Sequence, residues 1–278
     1  MYSITSSKMK LPHALLVLLS ASMLAGCFEA RKNTDQLCEQ EPSLNCAVLN
    51  TSDGQCRIPR TNLIWHRYEM MKAPSEANTI EEYYLLKEYR KCLELASQIQ
   101  PIEQADLKAR RFDALMYSIN EQERVTNSLS DSTSPETLYF LWSETGDHNA
   151  RRRFLEMEGS PQLDTAELQY ALATYYISRD KNKTYQLLNR SLELSSGGKT
   201  VNKDVIKALA SVTQSLNQPQ QSFLWAMVAK QFDIPIASDN ELRLMFNLND
   251  SEYDQLKSQA NTVAKAIKNG SYSPTLSR

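Results

Sequence analysis

From Thr61 onward, apolar residues recur at helical spacing, and no alternating run is long enough to specify a strand. Leu63, Ile64, Tyr68 and Met71 make a short first stripe. A long amphipathic helix is predicted over 78–99, with Leu85, Tyr89, Cys92, Ala96 and Ile99 on its inward stripe and Pro101 beyond its end. Another is predicted over 103–128, with Leu107, Phe112, Leu115, Met116 and Ile119 as its candidate buried positions. The polar cluster from Ser128 to Ser134 then reads as a linker. Pro135, Pro161 and Pro219 each precede a periodic run, where a helix start tolerates proline.

Beyond the linker the helices come in pairs with very short turns. Residues 135–145 pair with 147–158 across Thr145-Gly146-Asp147, and 163–178 with 181–195 across Arg179-Asp180. A third pair is 202–216 with 219–232, turning at Asn217-Gln218. The turns at Asp147, Asp180 and Asn217 are 33 and 37 residues apart, a period that suits stacked helical hairpins. The predicted fold class is therefore all-α.

A local echo runs through these helices: Lys91-Cys92-Leu93-Glu94-Leu95, Arg153-Phe154-Leu155-Glu156-Met157 and Arg190-Ser191-Leu192-Glu193-Leu194. It resembles the end of the second helix of tetratricopeptide repeats, and the resemblance implies an α-solenoid, clearest over 135–232 and less so over 61–128, with an irregular all-α bundle as the alternative. The full repeat signature is missing, and Phe154 stands where that family places a small residue.

The N-terminus has a different character. Lys8 and Lys10 precede an apolar run from Leu11 to Leu24, then Leu24-Ala25-Gly26-Cys27. A basic stretch, a short apolar stretch and small residues form a secretory signal, too short for a comfortable membrane span. L-A-G-C resembles the lipobox of bacterial lipoproteins. That resemblance implies diacylglycerol on Cys27, cleavage after Gly26 and acylation (palmitate) of the new amino terminus. Several acyl chains anchor stably where one binds marginally. Phe28, standing where an aspartate signals inner-membrane retention, implies the inner leaflet of the outer membrane, with the body in the periplasm.

With Cys27 lipidated, Cys38, Cys46, Cys56 and Cys92 remain, an even number in an oxidising compartment. They allow three pairings, among which the sequence does not choose. The segment from Leu37 to Arg57 lacks periodicity and reads as a loop without its own core, so Cys92 on its inward stripe is the natural place to tie it down. The pairing carried forward is Cys38–Cys46 with Cys56–Cys92. The C-x7-C-x9-C spacing and distant His66 do not suit zinc. Taken together, the lipobox, this cysteine spacing, Asp53-Gly54-Gln55-Cys56-Arg57 and the helical remainder resemble an uncharacterised gammaproteobacterial lipoprotein family, domain of unknown function 2989. It implies no known activity.

The expected organisation is a signal over 1–26, lipidated cysteine, tether and Cys-rich loop over 27–60, helices over 61–130, helical repeats over 135–268, and a flexible tail over 269–278.

Composition removes several chemistries. Seven glycines in 278 residues fall far below the average of about 7%, leaving few places for backbone to approach a phosphate. No cofactor is expected. A net charge of −2 offers no basic surface for nucleic acid. Ser196-Gly197-Gly198-Lys199 matches the S-x-x-K of penicillin-binding enzymes, but glycines separate the pair, Val201 replaces the glycine of K-T-G, and S-D-N is missing. Helical lytic transglycosylases carry a catalytic glutamate followed by serine, and no Glu-Ser dipeptide occurs here. There is no H-E-x-x-H, and His66 and His148 read as surface or packing residues. No metal site and no catalytic residue is assigned. Arg110-Arg111 and Arg151-Arg152-Arg153 read mainly as solvated faces.

The aromatics are the remaining candidates. Tyr139, Trp142, Tyr175, Tyr176 and Trp225 lie on the paired helices, where exposed rings would line a groove for a protein partner. The expectation is a membrane-anchored, non-enzymatic lipoprotein that scaffolds or helps assemble another envelope protein. The alternatives are a cell-wall-acting enzyme or its regulator, using unassigned carboxylates, and a structural envelope tether.

Overall fold

The computed structural model describes residues 33–100, 106–196 and 201–278. The expected signal over 1–26 and Cys27 lie outside them, as do Gly197, Gly198 and Lys199. Among the described residues there are twelve α-helices and no strand: α1 Thr34–Gln40, α2 Arg57–Lys72, α3 Glu76–Ala96, α4 Leu107–Ser128, α5 Pro135–Thr145, α6 His148–Glu156, α7 Ala166–Tyr176, α8 Lys181–Leu194, α9 Lys203–Ser215, α10 Pro219–Lys230, α11 Asp239–Met245 and α12 Asp250–Lys268. No described helix is long and apolar enough to cross a membrane.

The chain divides into two compact units, neither bounded where sequence composition changes. One comprises the described residues up to Pro74 with Tyr84–Asn120, the other Ser75–Tyr83 with Glu121–Arg278. Helices α3 and α4 each contribute to both, so the linker at 128–134 is not a unit boundary.

The first unit corrects the reading of its N-terminal segment. Residues 37–57 are not a coreless loop. Asn33 and Gln36 form a capping box that starts α1, and two 3-10 turns follow at Pro42–Leu44 and Cys46–Leu49. Leu37, Leu44 and Leu49 are buried, so the segment supplies core of its own. Cys38 is bonded to Cys46, and Cys56 to Cys92. Helix α2 starts at Arg57, a turn earlier than expected.

The buried stripe of α3 is Leu86, Tyr89, Leu93 and Ala96, whereas Leu85 and Cys92 are half-buried at its edge and Ile99 is exposed. Helix α4 departs further. Phe112 and Met116, taken as inward, are 55% and 41% exposed, and the first unit buries Arg111, Ala114 and Ser118 instead. The apolar periodicity at 112 and 116 is real, but it faces outward because Asp53 waits on the inward side for Arg111.

In the second unit the paired helices follow the expected turns. Ser134, Asp147, Thr165, Asp180 and Asn202 cap α5 to α9 in order, each side chain accepting from first-turn amides that have no partner within the helix. Gly146 ends α5 at φ +73°, so α6 begins two residues later. The chain is thereby bent into the hairpins α5/α6, α7/α8 and α9/α10, stacked through α5 on α7 and α8 on α9. The Lys/Arg-x-Leu-Glu echoes all fall at helix ends, those of α3, α6 and α8.

Helix α10 lies between α9 and α12 and has almost no outward face: Ser222 through Ala229 are all buried. The expected flexible tail is also corrected. Tyr272 and Ser277 are buried, the Tyr272 hydroxyl donates to Asn189 Oδ1 at 2.5 Å and meets Ser277 Oγ at 2.9 Å, and Gln259 Nε2 donates to the Leu276 carbonyl. The residues after α12 close the apolar cluster of α8, α9, α10 and α12.

Candidate partner-binding surface

Four of the five aromatics singled out from sequence meet on the first two hairpins. Tyr139 and Trp142 are one turn apart on α5, with ring centroids 5.7 Å apart. Trp142 continues to Tyr175 at the end of α7 at 5.8 Å, and Tyr175 to Tyr176 at 5.0 Å, both edge-on. Buried Phe154 from α6 supports Tyr139 and Trp142 from behind, 5.9 Å from each. Edge-to-face pairs of this kind contribute about 0.5–1.5 kcal/mol each beyond area burial. All four residues are half-buried. The row is therefore fixed by packing while keeping ring surface open to solvent.

Its polar surroundings differ along the row. Burial raises the Tyr139 phenol above its ordinary range against a hydrogen bond from Thr174, and Glu167 and Glu144 add to the rise. Burial likewise raises Tyr170, with Asp204 and Tyr139 adding to it. At the other end, Arg179 stacks 4.2 Å from the Tyr175 centroid, and Lys183 lies 3.9 Å from that of Tyr176. The Tyr176 hydroxyl donates to Glu158 Oε2 at 2.6 Å, which raises its pKa, and Lys183 pairs with the same carboxylate. Tyr176 is thus tied into a hairpin-to-hairpin brace. Tyr139, Trp142 and Tyr175 lie outside that brace and are half-buried like it.

Trp225 does not belong with them. It is 0% exposed within α10, 6.1 Å from Tyr272, because α10 is covered on both sides by helices. Contrary to the expectation from sequence, its ring is closed to a partner.

The arginine runs separate into individual roles. Arg153 donates to the Ser132 carbonyl at 2.6 Å and Arg152 faces solvent near Glu156. Arg111 is the residue that the solvated-face reading missed. Its Nε and Nη2 donate to Asp53 at 2.6 and 3.2 Å, and Nη1 donates to the Ala96 carbonyl at 3.1 Å. Arg60, also buried, donates to the carbonyls of Asn50 at 2.7 Å and Asp53 at 2.9 Å. Burial works to raise the Asp53 carboxyl, but the Arg111 hydrogen bond and charge, the Gln55 amide and the Arg60 charge outweigh it and hold the group below its ordinary 3.8. The one sequence signal for this cluster was Asp53-Gly54 beside Cys56. Its partners are 58 and seven residues away, beyond the reach of a local motif.

The S-x-x-K match has the wrong setting. Helix α8 ends at Leu194, so Ser196 follows a helix C-terminus instead of opening a helix. Among the described residues no group of histidines, cysteines and carboxylates is arranged to hold a metal ion.

A family model described as "Protein of unknown function (DUF2989)" matches residues 24–227. The chain belongs to that family. The match begins at Leu24, takes in the cysteine-stapled segment and all three hairpin starts, and stops within α10. In this DUF2989 chain, α11, α12 and the packed tail lie beyond the match. No curated protein and no solved structure matches the chain.

Proposed function

We propose that this DUF2989 chain is a lipid-anchored periplasmic protein, held at the outer membrane through Cys27, whose tetratricopeptide-like hairpins bind another envelope protein as a scaffold or assembly factor. The observation that carries the binding role is the half-buried, contiguous row Tyr139, Trp142 and Tyr175 across two adjacent hairpins. Rings held by neighbours, Tyr139 and Trp142 by Phe154 and Tyr175 by Trp142, lose little entropy on binding, and aromatic residues are enriched at the centres of protein interfaces. The carboxylates of Glu144 and Glu167 beside Tyr139 suit a partner segment that carries basic as well as apolar side chains. The anchoring role is supported by Lys8 and Lys10, the apolar run to Leu24, and Leu24-Ala25-Gly26-Cys27.

The test is crosslinking of the tagged lipoprotein in cells, with partners identified by mass spectrometry. A protein enriched over a control lipoprotein, and lost in Trp142→Ala and Tyr175→Ala chains of unchanged helicity, supports the scaffold. Enrichment of no envelope protein over the control refutes it. Anchoring is tested separately: Cys27→Ala moves the protein out of the membrane fraction, and unchanged fractionation refutes the anchor.

A further inference from the structure

The two most exposed large apolar side chains of the first unit, Ile58 at 70% and Leu95 at 68%, line one shallow apolar groove. Ile58 stands in the first turn of α2 and Leu95 in the last turn of α3, with Pro59, Leu85 and Cys92 between them. The Cys56–Cys92 disulfide joins those two helix ends, so the pair is presented on a cross-linked base. Two exposed aliphatic side chains on one mostly apolar groove offer a contiguous apolar contact that a singly scattered residue does not.

The position of the groove in the chain indicates what covers it. Ile58 also lines a neighbouring cavity with Asn33, Thr34, Asp35 and Arg57, so the groove adjoins the first described residue. Asn33 is six residues after Cys27. Six residues fully extended span about 20 Å. The headgroup region adds roughly 5–7 Å on each side of the hydrocarbon. A lipid on Cys27 therefore keeps Ile58 and Leu95 within a single short tether of the bilayer. Tethering makes a second contact intramolecular, so a weak apolar contact becomes well populated.

We propose that the Ile58–Leu95 groove docks on the lipid bilayer, seating the first unit against the membrane that holds its anchor. The proposal rests on the anchoring reading above. Lys91 in the groove is offset by Glu88, and Arg57 in the neighbouring cavity by Asp35, so the contact is driven by apolar burial and does not require anionic lipid. The side chains enter the boundary between headgroups and acyl chains, as those of interfacial helices do.

The test uses the full lipidated chain carrying Ile58→Trp or Leu95→Trp, in phosphatidylcholine vesicles with bromine on the acyl chains. Both sites are exposed, so both variants retain the fold. At least about twofold greater fractional quenching of tryptophan emission than in the parent chain is expected for a ring in the headgroup–acyl boundary. If the chain floats with the vesicles and neither variant shows extra quenching, docking is overturned while the anchor stands. If the chain does not float, the anchor fails and the proposal with it. Absence of quenching together with photo-crosslinking of positions 58 and 95 to a protein in cells overturns the proposal in favour of a protein contact.

Discussion

Replacing Arg111 by methionine would strand Asp53 in the interior of the first unit. Both side chains are 5% exposed and joined by two hydrogen bonds, and Arg111 makes a third to the Ala96 carbonyl. Breaking a buried ion pair by removing one partner costs about 3–5 kcal/mol, because the remaining charge is uncompensated. Arg60 and the Gln55 amide still face Asp53, which places the expected loss near about 3 kcal/mol. A chain with two compact units does not guarantee a single two-state transition, so the assay must be local. Amide exchange in peptides covering 49–72 should accelerate roughly 150-fold, the equivalent of that loss. Asp53→Asn should also destabilise, and Asp53→Asn with Arg111→Met should fall short of the sum by about 1–3 kcal/mol, since the double change removes both charges. The pH dependence has a definite sign. Asp53 is held below its ordinary 3.8, so its contribution is fully present above that value and is lost as pH falls through the lower folded pKa. The difference between wild type and Asp53→Asn should therefore shrink below about pH 4. A loss under about 1 kcal/mol for Arg111→Met, or strict additivity in the cycle, refutes the assignment of this pair as the lock of the segment.

The remaining expectations are independent of that pair. Opening Cys56–Cys92, which closes 36 residues, should cost about 4 kcal/mol by loop entropy, against about 2.5 for Cys38–Cys46 across eight, measurable by amide exchange in peptides of the first unit in the paired alanine variants. Gly270→Ala should cost more than about 2 kcal/mol, because φ is +67° and the new methyl would sit 2.5 Å from the Ser196 carbonyl oxygen. Gly146→Ala, at φ +73° with open space around it, should cost only about 1 kcal/mol, and equal thermal shifts for the two would refute the close approach. Tyr272→Phe should lose about 1–2 kcal/mol by leaving the buried Asn189 Oδ1 without its donor, whereas a tail without tertiary contacts would give no change in melting temperature.

Legibility followed the kind of interaction that decides each element. The hairpins were legible because their limits are written locally, in caps such as Ser134, Asp147 and Asp180 and in Pro135 and Gly146. Left-handed turn positions were harder. Asn45, Asn50, Asn217 and Asn247 occupy them, as does Asp233, which is how a chain with seven glycines still makes tight turns. The outward face of α4 was misread because apolar spacing identifies a stripe without saying which side of it meets the core. Trp225 was misassigned for a related reason. On α10 every side is covered, and a helix apolar all round has no periodicity from which exposure can be read. Tyr139, Trp142 and Tyr175 could be named from sequence as aromatics on paired helices, but their contiguity depends on how α5 stacks on α7.

The two units are held together by different means, and the difference bears on when each can fold. The second has a continuous apolar cluster running from Leu188 through Trp225 to Ile267, so burial alone provides a dominant driving force. The first buries Asn50, Asp53, Arg60, Arg67, Arg111 and Ser118 among its leucines and adds two disulfides. Polar groups taken from water return little net free energy even when fully hydrogen-bonded. Among the described residues the first unit buries four charged side chains, Asp53, Arg60, Arg67 and Arg111, against Glu82 in the second, and its two staples hold the elements that those charges join. Cys56 shows the coupling directly: it holds a left-handed backbone at φ 56° at the start of α2, a conformation costing about 1–3 kcal/mol that its bond to Cys92 helps to maintain. Under reducing conditions, exchange should rise first in the peptides around Cys56 and Arg60 while those of α9, α10 and α12 stay protected. Simultaneous loss of protection in both sets would show that the first unit does not depend on its staples in this way.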